Sequence, residues 1–342
     1  MRKILSLLIA TILVVSGLSA CGTEKEQGKE ADDKIQIVTT IFPIYDWVNN
    51  ILGDNPANIE TTMLLDSGVD LHSFQPSADD IQKIANCDIF VYVGGESDGW
   101  TEDALKEISS KNAVVLNLMD LLGDSVKEEE IIEGMQEEAH EHGEDGEHEA
   151  DEHGEHDEDS EHEAETDEHI WLSLRNASVL TKSISEAVEA LDPENAEVYK
   201  SNSAGYIAEL EALDKEYQAA VSETPKKTLL FGDRFPLRYL TDDYGLSYYA
   251  AFPGCSAECE ASFETISFLA QKVDELELNA VMTIEKSDKR IAETIIENTN
   301  RKDRQILSMD SMQSVTAKDV QNGASYLSVM KDNLTVLKEA LK

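Results

Sequence analysis

Between residues 35 and 125 the hydrophobic pattern alternates short β-rich runs with stretches of helical period. IQIVTT at 35–40 reads as a strand, and Pro43, well tolerated in a first helical turn, opens PIYDWVNNILG. NIETTMLL at 58–65 is the next strand. Ser77, with Asp80 three residues on, has the arrangement of a helix cap ahead of DIQKIANC, and DIFVYVG at 88–94 and AVVLNL follow as strands. Strand and helix repeated in this order predict an α/β lobe, a mainly parallel sheet flanked by helices.

From 175 to 222 the pattern becomes helical throughout, interrupted once at Asp192-Pro193. Pro193 can open a second helix, so the stretch reads as one shorter helix and one of roughly thirty residues, about 45 Å long, enough to run the length of two lobes. Alternation then resumes with TLLFG at 228–232, LSYYAAF at 246–252, the helix ASFETISFLAQKVDEL, NAVMTIE, the helix DKRIAETIIENT, QILSMD and a last helix toward Lys342. The expected organisation is an N-terminal α/β lobe over 35–175, interlobe helices over 176–224 and a C-terminal α/β lobe over 225–342.

The first 34 residues follow neither pattern. Arg2 and Lys3 precede the apolar run ILSLLIATILVV, which at about a dozen residues is short of the roughly twenty that a membrane span needs. A signal peptide over 1–20, removed on export, is the expectation. Leu18-Ser19-Ala20-Cys21 resembles a bacterial lipobox, in which the cysteine becomes the lipidated first residue. The polar GTEKEQGKEADDK then makes 21–34 a flexible tether. An extracytoplasmic lipoprotein anchored to the cell membrane follows.

Charge sharpens the picture. The formal net charge is −42, and between Glu128 and Glu168 there are 22 acids and no lysine or arginine. Nucleic acid, which demands a basic surface, is excluded as a partner, and cations are favoured. The same tract holds His140, His142, His148, His153, His156 and His162, six of the eight histidines. Its composition predicts a disordered loop over 128–168. Neutral imidazoles among dense carboxylates predict several weak sites that collect zinc.

In open α/β sheets, ligands bind beyond the carboxyl ends of strands. His72, Asp233, Glu285 and Asp310 fall near such ends, and His169 precedes the Trp171-Leu172 pair that leads into the interlobe helices. Two imidazoles with carboxylates form the mixed nitrogen and oxygen set that a divalent transition metal accepts. Each residue has a plainer reading: His72 as a polar loop residue, Asp233 paired with Arg234 or Arg238, Glu285 with Lys286 or Lys289, and Asp310 as a helix cap. H-E-x-x-H does not occur, His148 to His153 being one residue too long, so an enzyme is not expected. A surface adhesin or a metal buffer is the other function class.

Of the four cysteines, Cys87, Cys255 and Cys259 remain once Cys21 is lipidated. A disulfide across CSAEC, or between one of that pair and Cys87, is expected of an exported protein. A thiolate zinc site ranks below it, because such sites usually draw on two cysteine pairs.

VDLHSFQPSADDI, then DEHIWLSLRNA, then LSMDSM with the terminal NGASYLSVMKDNLTVLKEAL, together resemble the zinc and manganese solute-binding lipoproteins of bacterial metal ABC transporters, the ZnuA/TroA-like family. The resemblance covers nearly all of 35–342. It implies two α/β lobes joined by one long helix, with metal in the cleft between them. It also implies a monomer that captures zinc and delivers it to an ABC permease in the membrane. Carried over, His72 and His169 are the first-lobe ligands and Asp310 the second-lobe carboxylate. The third position departs from the family pattern. In LLFGDRFPLRYLTDDYG it falls on Arg234, a very poor ligand because it stays protonated, unless a loop longer by one residue gives it to Asp233. Glu285 aligns with a recurrent glutamate and is the runner-up. Two histidines with two carboxylates suit manganese or iron, whereas the histidine tract suits zinc, which is the expectation adopted.

Overall fold

The computed structural model describes residues 34–110, 112–136, 166–256 and 260–342. The expected signal peptide, Cys21, the tether up to Asp33, Cys259 and the six histidines of the acidic tract lie outside the described residues.

The first sheet is formed by β1 (Gln36–Thr39), β2 (Glu60–Met63), β3 (Ile89–Tyr92) and β4 (Val114–Asn117), in the order β2-β1-β3-β4 with every pairing parallel. Its helices are α1 (Phe42–Leu52), α2 (Ala78–Asn86) and the short α3 (Thr101–Lys106) and α4 (Leu118–Leu122). Pro43 sits in the first turn of α1, which buries Trp47, Val48 and Ile51, and α2 begins in a full capping box between Ser77 and Asp80. β3 is an unbroken apolar run buried on both faces, as a central parallel strand requires.

Two helices follow, α5 (Leu174–Leu191) and α6 (Ala196–Glu223). The 28 residues of α6 extend about 42 Å at 1.5 Å per residue. Toward its start, Asn202 donates to the Ile51 carbonyl at 3.0 Å and the Tyr206 hydroxyl to Asp46 at 3.1 Å, both in α1. Farther along, the Tyr217 hydroxyl donates to the Met330 carbonyl at 2.6 Å, near the chain's C-terminal end. One helix therefore holds onto both halves of the fold.

The second sheet comprises β5 (Thr228–Phe235), β6 (Ser247–Pro253), β7 (Ala280–Ile284) and β8 (Gln305–Met309), ordered β6-β5-β7-β8 and again parallel. With it go α7 (Arg238–Tyr244), α8 (Phe263–Glu275), α9 (Arg290–Asn298), α10 (Ala317–Gln321) and α11 (Tyr326–Ala340). β5 does not stop at Gly232. The strand continues to Phe235 through a register shift between Phe231 and Arg234, so Asp233 lies within it and not in a loop. A Cβ at Gly232 would sit 2.7 Å from the Ala292 Cα, and the missing side chain lets α9 pack against the strand. The chain order reverses between β1 and β3 in one sheet and between β5 and β7 in the other, and the loops beyond the carboxyl ends diverge there. Among the described residues, no helix is long and apolar enough to cross a membrane.

Candidate metal centre

His72 is carried by one turn of 3-10 helix, Leu71–Ser73, in the connection from β2 to α2. Asp70 caps that turn by accepting from the His72 backbone N–H at 3.1 Å. His169 is fully buried ahead of α5, and Asp167 Oδ1 accepts both from its backbone N–H and from Nδ1, each at 2.9 Å. A carboxylate is acceptor-only, so the proton sits on Nδ1 of His169 and the lone pair on Nε2. His72 is held from the same side, with Nδ1 at 2.7 Å from the Ser97 hydroxyl, which can donate or accept. Ser97 in turn donates its backbone N–H to Glu168 Oε1 at 2.7 Å, and Glu168 Oε2 lies 3.7 Å from His72 Nδ1.

Held by their Nδ1 atoms, the two rings turn Nε2 toward each other at 3.2 Å. Ligand nitrogens bonded to one tetrahedral zinc at about 2.0–2.1 Å lie about 3.3 Å apart, so the pair already has the separation of one edge of such a site. Burial, then the neighbouring His169, pushes the His72 imidazole down to about 3, which keeps the ring neutral and able to coordinate. Gln313 caps the pair: its Nε2 lies 2.9 Å from His72 Nε2 and 2.8 Å from His169 Nε2.

Among the described residues, His72, His169 and Cys255 form the one group of His, Cys, Asp or Glu side chains whose ligand atoms all lie within 4.8 Å of one another. Cys255 follows β6, and its backbone N–H donates to Glu129 at 3.1 Å. Burial, then Glu129, Glu168 and Asp167, push its thiol well up. Gly254 makes this approach possible, because a Cβ there would lie 2.9 Å from the Phe235 carbonyl oxygen and 3.0 Å from the His169 Cε1. The expected disulfide is corrected at this point: Cys87 and Cys255 are both free thiols, Cys87 buried where α2 ends and Cys255 beside the imidazoles.

Asp233, Glu285 and Asp310 do not join that group; each is engaged nearby. Asp233 accepts from the Arg234 backbone N–H at 2.9 Å and the Ile284 backbone N–H at 3.4 Å. Arg234 pairs with Asp70 at 2.7 Å, across a cavity of about 380 Å³ that both line. Glu285 accepts from the Ser311 backbone N–H at 2.7 Å and faces the Ser311 hydroxyl at 2.8 Å. That hydroxyl lies 2.9 Å from Gln313 Oε1. Asp310 accepts from the Met312 backbone N–H at 2.7 Å, and burial, then Glu285, push its carboxyl up to about 6. Met312 is held at φ 63°, an uncommon conformation for a residue with a side chain, and this turn delivers Gln313 to the two rings. Trp171 Nε1 ties the His169 turn to it by donating to the Ser311 carbonyl at 2.8 Å. Sequence reading ranked a thiolate site at Cys255 below a disulfide, and missed Gln313. The signal available for Cys255 was its place just beyond a strand end, whereas Gln313 carried none.

Over residues 37–340 the chain matches the family described as ZnuA, zinc-uptake complex component A, periplasmic. It belongs to that family. Zinc-binding lipoprotein AdcA of Streptococcus pneumoniae serotype 4 (strain ATCC BAA-334 / TIGR4) is 30% identical over 341 residues, 99% of this chain and 61% of AdcA. The chain thus spans less than two thirds of that relative. High-affinity zinc uptake system protein ZnuA of Bacillus subtilis (strain 168) is 29% identical over 326 residues, 95% of this chain and 93% of its own length. The crystal structure of the Zn(II)-bound ZnuA-like domain of Streptococcus pneumoniae AdcA superposes with a TM-score of 0.66 at 25% identity, covering 90% of this chain and 99% of that one. The expected fold, two four-stranded parallel sheets flanked by helices, is the fold of these ZnuA-family structures. A family of zinc-uptake components is not one of enzymes.

Proposed function

We propose that this chain is the extracytoplasmic solute-binding component of a zinc ABC transporter, a monomer anchored by lipid on Cys21, which captures one zinc ion between His72 and His169 and delivers it to a membrane permease. The observation that carries this reading is the pair of inward-facing Nε2 atoms at 3.2 Å, each ring oriented from behind through Nδ1. Metal-ligating histidines are generally held in this way, by a carboxylate or another acceptor on the second nitrogen. The names of its relatives support zinc as the cargo. Asp167, Glu168 and Glu129 around the site supply negative charge that favours a cation. The roles for Asp233, Glu285 and Asp310 that fit this geometry are positioning ones, in the strands and turns that shape the cleft.

Zinc held by the two imidazoles where Gln313 of the second half meets them would stabilise one arrangement of the halves, which the permease can read. The six histidines of the acidic tract would collect zinc weakly ahead of the cleft. His72→Ala in the full chain should remove one tight zinc equivalent, weakening it by at least about a hundredfold, since even changes behind a ligand cost 10–100-fold. Competition against a zinc chelator reads this out, and unchanged affinity at the tight site would refute the assignment.

A further inference from the structure

We propose that Cys255 and Gln313 complete the coordination sphere and set which ions the cleft accepts: two imidazoles, one thiolate and one neutral amide oxygen take zinc and cobalt(II) and turn manganese(II) away. This rests on the reading of the cleft as a zinc site and adds the ion class.

Three observations carry it. Cys255 offers the only non-histidine atom of the described His, Cys, Asp and Glu side chains that falls in one 4.8 Å group with both imidazoles. Gln313 already touches both Nε2 atoms, and rotating its amide by half a turn exchanges Nε2 for Oε1, which turns a donor to two bare rings into an oxygen donor for a cation. Finally, the three second-half carboxylates have oxygens engaged by other partners and fall outside that group: Asp233 by backbone N–H groups, Glu285 by Ser311 and Asp310 through Oδ1 by the Met312 N–H.

The chemistry follows from softness and geometry. Thiolate and imidazole suit zinc in a closed tetrahedral site, whereas manganese(II) prefers oxygen ligands and six of them. On binding, the Cys255 S–H bond breaks, a sulfur–metal bond forms and the proton passes to solvent, with no change of oxidation state. Glu285 acts through Ser311 as a positioning residue for Gln313.

The test uses the full chain with cobalt(II) as probe. One equivalent should give an intense near-ultraviolet sulfur-to-cobalt charge-transfer band. Cys255→Ser should abolish the band and Cys259→Ser should keep it. A hundredfold excess of manganese(II) should leave the cobalt spectrum unchanged in the parent chain. Gln313→Glu, which restores an anionic oxygen, should raise manganese affinity by about tenfold or more. If cobalt binds tightly, is lost in His72→Ala, and yet shows no band in the parent chain, the thiolate proposal is overturned while the zinc site stands. Displacement of cobalt by manganese overturns the selectivity. Tight cobalt binding indifferent to His72→Ala overturns the site itself.

Discussion

A histidine coordinates more tightly with one nitrogen when a partner orients the ring through the other. Asp167 does this for His169, accepting from both its Nδ1 and its backbone N–H. Asp167→Ala should therefore weaken zinc by about 10–100-fold while both ligating rings remain, as isothermal titration against a competing chelator would record. A second prediction concerns Asp98, next to the Ser97 that holds His72. Asp98 is buried with Oδ2 accepting from the Val93 and Gly94 backbone N–H groups, each at 3.0 Å, while Oδ1 lacks a hydrogen-bond partner. Burial, opposed by those bonds, pushes its carboxyl from 3.8 up to about 7. The folded state thus holds this proton more tightly than the unfolded chain does. Its contribution to stability is full below about pH 4 and is lost as pH rises through about 7. Asp98→Asn should raise the melting temperature of the metal-free protein at pH 8 by on the order of 2–4 °C and do little at pH 4. At this scale the sequence was half legible. His72 and His169 stood out because their motifs are distinctive. Cys255 was hidden because CSAEC reads equally well as a short disulfide loop, and Gln313 because an uncharged amide announces no chemistry until a turn aims it.

Elements explain how those residues meet. The strands were legible where a parallel sheet forces unbroken apolar runs, as in β3 and β7, which are buried along their whole length. The end of β5 was not, because Gly232-Asp233 reads as punctuation and a register shift leaves no mark in the hydrophobic pattern. α3 and α4, at six and five residues, are too short to show a helical period. The path of the chain after β6 is the most demanding feature, since Gly254 passes against the His169 ring. Gly254→Val should push Cys255 and the ring apart, weakening zinc by at least about tenfold while far-ultraviolet circular dichroism stays unchanged. In α6, Tyr217→Phe removes the hydroxyl's bond to the Met330 carbonyl, which keeps its place in the α11 helix, and should cost about 0.5–1.5 kcal/mol in denaturant unfolding, with zinc stoichiometry unaltered.

At the scale of the molecule, the long α6, the Arg234–Asp70 ion pair and the Trp171–Ser311 hydrogen bond join the two halves independently of the two imidazoles. Capture then calls for modest adjustment around a preformed pair of imidazoles, and not for wide closure. Zinc at a hundredfold excess over its dissociation constant should stabilise the fold by about 2.7 kcal/mol, measurable as a rise in melting temperature that His72→Ala abolishes. The most direct test is anomalous diffraction at the zinc edge from crystals of the protein loaded with one equivalent of zinc. A single strong peak bonded to both His72 Nε2 and His169 Nε2 at about 2.0–2.1 Å is the expected result. A tightly bound zinc elsewhere, with both rings unligated, would contradict it.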